Sequence, residues 1–161
     1  MTRRPLAAGL LLLAAVLSGC AAPTVHLTPA EHANDPSCAD VSVRLPDALG
    51  DVPRRWTDAQ ATAAWGDDSE VVFTCGLEPP GPTTLQCVTI GGVDWIVDDE
   101  RFPRLVMTTY GRSPAARVSV DTEALSSNDV LQALSSSAQQ LPQTGGACVD
   151  ADELEPDPSA S

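Results

Sequence analysis

Four cysteines spread along most of the chain, Cys38, Cys75, Cys87 and Cys148, limit the folds open to it more than any other feature. An even number of thiols in an oxidising compartment reads as a disulfide framework, and four thiols admit three pairings. The reading favoured here joins Cys75 to Cys87, across the stretch Pro79-Pro80-Gly81-Pro82, and Cys38 to Cys148, tying the two ends of the folded region. The other pairings stay open. On loop-closure entropy the short bridge contributes about 3 kcal/mol and the long one about 5 kcal/mol. No two of the four show the Cys-x-x-Cys spacing common in closed zinc sites, so no metal is expected at them.

The disulfide reading requires export, and the N-terminus supplies it. Arg3 and Arg4 precede an unbroken apolar run from Leu6 to Leu17, followed by Ser18, Gly19 and Cys20. A bilayer span needs about twenty apolar residues, and this run falls well short. A basic start, a short apolar core and small residues at its end describe a cleavable signal. The tetrad Leu17-Ser18-Gly19-Cys20 resembles the lipobox of bacterial lipoproteins, in which the cysteine thiol is acylated and becomes the new N-terminus. Residues 1–19 are therefore expected as a signal peptide and Cys20 as the lipid-carrying residue, placing the protein on the extracytoplasmic face of the cell membrane. Thr2-Arg3-Arg4 with Leu6 leaves Sec and twin-arginine export both open.

What remains after residue 19 is enough for one ordinary domain. With the two signal arginines gone, seven arginines and no lysine face 22 acidic residues. Such a surface repels phosphate backbones and anionic headgroups, which excludes nucleic acid as a partner. Residues 20–34 carry Pro, Thr, Ala and both histidines and read as a flexible tether. Residues 150–161 are acidic, hold two prolines and read as a disordered tail. A single domain is expected over 35–149.

Within it, Asp35-Pro36 offers an N-cap and a first-turn proline, with Cys38, Val41, Leu45 and Leu49 following near helical spacing. Val71 to Cys75 and Leu85 to Ile90 read as strands of one hairpin. Gly91-Gly92 interrupts the second strand as a bulge or tight bend, and Val93 to Val97 continue that strand. Phe102 to Tyr110 and Ala116 to Asp121 supply two further strands, joined by a turn at Gly111-Arg112-Ser113-Pro114. Ser127 is placed to cap a last helix with Val130, Leu131, Leu134, Ala138 and Leu141 on one stripe. The expected class is α+β: an antiparallel sheet of about four to five strands packed against an N-terminal and a C-terminal helix, held by disulfides.

Cys38 ahead of Leu45-Pro46, then Arg54-Arg55, Ala64-Trp65-Gly66-Asp67, Val72 to Gly76 and Gly92-Val93-Asp94-Trp95 occur in that order and at similar spacing in a family of actinobacterial lipoproteins. The chain thus resembles domain-of-unknown-function family 3515 over nearly all of its domain. The resemblance implies a lipoprotein anchor and a secreted, disulfide-bearing domain, and it carries no established activity.

An enzyme finds little to work with. His26 and His32 lie in the expected tether and the domain holds neither histidine nor lysine, so Ser-His-Asp, Cys-His and Ser-Lys nucleophiles cannot be built. No phosphate-binding glycine loop is present, so no cofactor is expected. Asp94, Asp98, Asp99 and Glu100 are candidates for a glycosidase-like carboxylate pair or for calcium ligands, though the EF-hand spacing is missing and a solvated turn at 98–100 is the plainer reading. Trp95, between Val93 and Val97, reads as core. Arg54, Arg55 and Trp65 are the candidate binding residues: two guanidiniums to meet a carboxylate or phosphate, and an indole in a turn on which a sugar or peptide stacks. Pairing of the arginines with Asp51, Asp58 or Asp67 is the structural alternative. The function expected is a non-enzymatic binding or assembly module serving an envelope protein or cell-wall component. The alternatives are a carboxylate-dependent hydrolase acting on cell-wall polymers and an accessory solute-binding lipoprotein.

Overall fold

The computed structural model describes residues 23–149. Helix α1 spans Pro36–Ser42, and eight strands follow: β1 (Ala48–Leu49), β2 (Val52–Arg55), β3 (Thr62–Trp65), β4 (Val71–Leu77), β5 (Gln86–Ile90), β6 (Val93–Asp98), β7 (Arg104–Thr109) and β8 (Ala115–Asp121). Helix α2, Ser127–Ala138, closes the order. All eight strands form one open antiparallel sheet in the order β1-β2-β3-β4-β8-β7-β6-β5. The expected sheet of four to five strands is therefore corrected to eight, with two short helices against a mostly-sheet fold. The strands added are β1 to β3, whose two to four residues include Pro53 and three alanines and carry too little β propensity to be read.

Local chemistry explains where the elements begin. Asp35 caps α1 by accepting from the backbone N–H and the hydroxyl of Ser37, and Pro36 fills the first turn. The helix is shorter than its apolar spacing implied, because Leu45 lies beyond it and Leu49 belongs to β1. Ser126, one residue before the serine expected, caps α2 by accepting from the N–H of Asp129 at 3.4 Å. Val130, Leu131, Leu134 and Ala138 of α2 are buried, as the stripe predicted, together with Leu141 just beyond. They meet Trp95, Met107, Phe73 and Val118 from the sheet in one apolar core.

Two topological readings are overturned. β4 and β5 do not form a hairpin: β4 lies between β3 and β8, and β5 pairs only with β6. Four strand spacings separate them, roughly 19 Å. Residues 78–85 make the crossing, and a proline-rich stretch of that length reaches about 25 Å, so it acts as a strut rather than a turn. Gly91-Gly92 does not continue one strand but reverses the chain between β5 and β6, with Ile90 paired to Val93 and φ of +58° and +73°. A Cβ on Gly91 would also strike the side chain of Ser135 on α2.

The disulfide pairing follows the corrected topology. Cys38 joins Cys75, linking α1 to β4, and Cys87 joins Cys148, linking edge strand β5 to the chain beyond α2. The pairing favoured from sequence, Cys75 with Cys87 and Cys38 with Cys148, depended on the β4–β5 hairpin and falls with it. All four cysteines do enter disulfides.

Residues 23–34, expected as part of a tether, lie along the domain. Val25 bridges to Thr57 in parallel fashion, the N–H of His32 donates to the carbonyl of Gly76 at 2.9 Å, and Ala33 is buried. The expected signal peptide, Cys20 and the acidic tail over 150–161 fall outside the described residues. Among the described residues no helix is long and apolar enough to cross a membrane.

Candidate functional site

Strand β2 places Arg54 directly opposite Trp65 of β3, so the two side chains share one face of the sheet. Trp65 is the last residue of β3 rather than part of a turn, and it is fully buried. Its Nε1–H donates to the carbonyl of Pro46 at 3.1 Å, which fixes the ring. The guanidinium of Arg54 lies over that ring, 5.9 Å from its centroid, a cation–π placement that holds the charge at the rim of the core. Burial drives the Arg54 pKa below the usual arginine range, and the nearby Asp47 carboxylate partly offsets this. Arg54 makes one side-chain hydrogen bond, a long one of 3.5 Å to the carbonyl of Leu45, and no ion pair within 4.0 Å among the described residues. Most of its five donors are left for a ligand.

Arg55 alternates to the other face and is engaged through both terminal nitrogens, while its buried Nε–H has no partner among the described residues. Its Nη1 donates to the carbonyl of Gly66 at 3.2 Å and to the Asp67 carboxylate at 3.1 Å, and its Nη2 donates to the carbonyl of Pro23 at 3.0 Å. The structural alternative thus describes Arg55, with Asp67 as partner, and not Arg54. Gly66 makes room for this turn, since its φ is +86° and a Cβ would collide with the Glu70 carboxylate.

The residue sequence reasoning missed is Trp56. It follows β2 immediately and is 80% exposed, the most exposed large apolar side chain among the described residues. With Asp47, Arg54, Arg55 and Thr57 it lines a cleft of about 480 Å³. The readable signal was the run Arg54-Arg55-Trp56 itself, two cations next to an aromatic. Of the three residues singled out, the structure keeps Arg54 in the cleft, makes Trp65 its supporting wall and turns Arg55 into a strut. The cleft can hold an anion on a partly desolvated guanidinium while an indole covers an adjoining planar or apolar surface.

The family described as a protein of unknown function, DUF3515, matches residues 5–145. The chain belongs to it. The match takes in every residue of the cleft, so this site lies in the shared DUF3515 domain, whereas Cys148 falls just beyond it. No curated protein and no solved structure matches the chain.

Two of the acidic candidates of this DUF3515 chain, Asp94 and Asp98, accept hydrogen bonds. Asp94 accepts from the Thr89 hydroxyl at 2.6 Å through one oxygen and from the N–H of Cys148 at 2.9 Å through the other. Asp98 accepts from the N–H of Glu100 at 3.0 Å, the local hydrogen bond of an Asx-type turn leading from β6 to β7. Among the described residues no three His, Cys, Asp or Glu side chains come together to hold a metal ion. Trp95 is fully buried in the core, and its Nε1–H finds no partner among the described residues. A second hollow of about 500 Å³ lies on the sheet face away from the helices, where Arg101 and Arg117 are balanced by Glu78 and Asp98 around Leu85 and Ile96. Its cations are exposed and offset by acids, so it is the weaker anion site.

Proposed function

We propose that this protein is a lipid-anchored, extracytoplasmic binding module without enzymatic activity, and that its Arg54–Trp56 cleft receives a carboxylate or phosphate group of an envelope component. The carrying observation is a half-buried guanidinium, stacked on a fixed indole, with most of its donors unused beside an exposed tryptophan. A charge removed from water is retained at a cost, and the cost is offset when an anion completes its hydrogen bonds. The anchor and the address rest on the Leu17-Ser18-Gly19-Cys20 tetrad and on the resemblance that this family carries to lipoproteins.

Inorganic phosphate, titrated into the purified protein while the arginine Nε–H resonances are followed, tests the site. Arg54 is expected to shift at lower phosphate than Arg101 and Arg117, which serve as exposed controls. The Arg54→Lys variant, which keeps the charge but not the planar fork, is expected to weaken the response about tenfold. A response at Arg101 and Arg117 with none at Arg54 refutes the site.

A further inference from the structure

We infer that the Arg54–Trp56 cleft is held against the headgroup layer of the bilayer that anchors the chain, with Arg54 donating to lipid phosphate oxygens and Trp56 seated at the interface. This rests on the lipid anchor at Cys20 and names the ligand class for the same cleft. The chain is fastened to β2 from its first described residue: Pro23 accepts from Arg55, the Val25 N–H donates to the carbonyl of Trp56 at 2.8 Å, and the Leu27 N–H donates to the Asp58 carboxylate at 3.0 Å. His26 adds a contact with Asp58 at 2.5 Å. Cys20 stands three residues before Pro23, and three residues span at most about 11 Å. Each headgroup layer is roughly 5–8 Å deep. An acylated Cys20 therefore brings the β2 end of the sheet close to the membrane surface.

The residues at that end suit the place. Tryptophan concentrates at membrane interfaces because its ring is apolar and its N–H is not, and Trp56 is the exposed tryptophan of the three. A planar guanidinium with free donors matches phosphate oxygens, and every phospholipid carries a phosphate. The acidic balance of the protein opposes attraction to an anionic leaflet. The anchor, not the field, supplies the proximity, as any short link raises effective concentration. Contact is then expected on phosphatidylcholine vesicles without added anionic lipid, unlike that of a polybasic surface segment.

The test uses the mature protein purified from the membranes of cells that make it and reconstituted into phosphatidylcholine vesicles, some of them brominated high on the acyl chain. Trp65 and Trp95 are buried, so the emission difference between the protein and its Trp56→Phe variant reports Trp56. Brominated lipid is expected to quench that difference at least twofold, and acrylamide access is expected to fall at least threefold relative to the soluble Cys20→Ala protein. Inserting twelve Gly and Ser residues between Ala22 and Pro23, or making Arg54→Ala, is expected to restore acrylamide access. The mass of the N-terminal peptide reads acylation separately. An unacylated Cys20 overturns the anchor and this inference together. An acylated protein whose Trp56 stays as open to acrylamide as in the soluble form, or one that the linker leaves unchanged, overturns the membrane contact alone.

Discussion

Arg54 and Arg112 are both drawn out of water, and burial lowers the pKa of each, yet their surroundings give them opposite uses. Arg112, in the turn between β7 and β8, is 5% exposed and donates to three backbone carbonyls: Leu141 at 2.6 Å, and Gln139 and Gly92 at 3.4 Å. One of these, Gln139, is the C-cap of α2 and Leu141 lies just beyond it, where unpaired carbonyls and the helix dipole favour a cation. Arg112 is thus a strut holding α2 and the Gly91-Gly92 turn together, with its donors consumed. Arg54, half-buried, is also desolvated but makes one long bond. Burial alone does not mark a binding arginine; unspent donors do.

The largest effect that sharpens this contrast is covalent. Replacing Cys87 and Cys148 together with serine opens a loop of sequence separation 61, with an expected loss of about 4 kcal/mol in urea unfolding. The phosphate response of Arg54 should survive at temperatures where the variant stays folded. If it disappears, the two ends of the sheet are coupled and the contrast fails. Arg112→Met comes next, with about 3 kcal/mol lost, because it leaves the buried carbonyl of Leu141 without a donor and also removes the contacts to Gln139 and Gly92. A loss below about 1 kcal/mol would mean that water replaces the guanidinium and that Arg112 is no strut.

Where side-chain period was strong, the fold was legible. The stripe Val130, Leu131, Leu134, Ala138 made α2 plain, and the β-branched runs of β4, β6 and β8 were read within a few residues. β1 to β3 escaped because they are short, and because Ala63-Ala64 and Pro53 do not signal a strand; their place is set by packing on Trp65 and Val71. The disulfide pairing depended on strand order, which no local pattern encodes. The candidate site was half legible for the same reason. The Arg54-Arg55 pair drew notice as charge, but strand alternation sends one side chain to Trp65 and the other to Asp67. The exposure of Trp56 becomes visible only once β2 is placed.

Arg54→Met is expected to change stability by less than about 1 kcal/mol, since the stem can still lie on Trp65 and the desolvation of the charge is relieved. The same variant should abolish the phosphate response at this end of the sheet. A destabilisation as large as that of Arg112→Met would show that Arg54, too, is a strut, with no donors left over for an anion.

The smallest effect concerns how the N-terminal segment stays on β2. The hydrogen bond from His26, and then that from the Leu27 N–H, hold the Asp58 carboxyl below the usual carboxylate range. The Ser37 hydroxyl and N–H do the same for Asp35 at the cap of α1. A carboxyl whose pKa is lower folded than unfolded contributes stability that is complete above its ordinary value, near 3.9, and is lost as pH falls through that value toward the folded one. Below about pH 4, residues 23–34 should therefore loosen from β2 before the sheet unfolds, seen as movement of the Val25 and Leu27 amide resonances ahead of those in β7 and β8. Asp58→Asn should show the loosened segment already at neutral pH, with the acid step at these amides gone. If Val25 and Leu27 move only together with the sheet, Asp58 does not govern the segment, and the short reach from Cys20 to the cleft is maintained by Arg55 and the Val25 backbone bond alone.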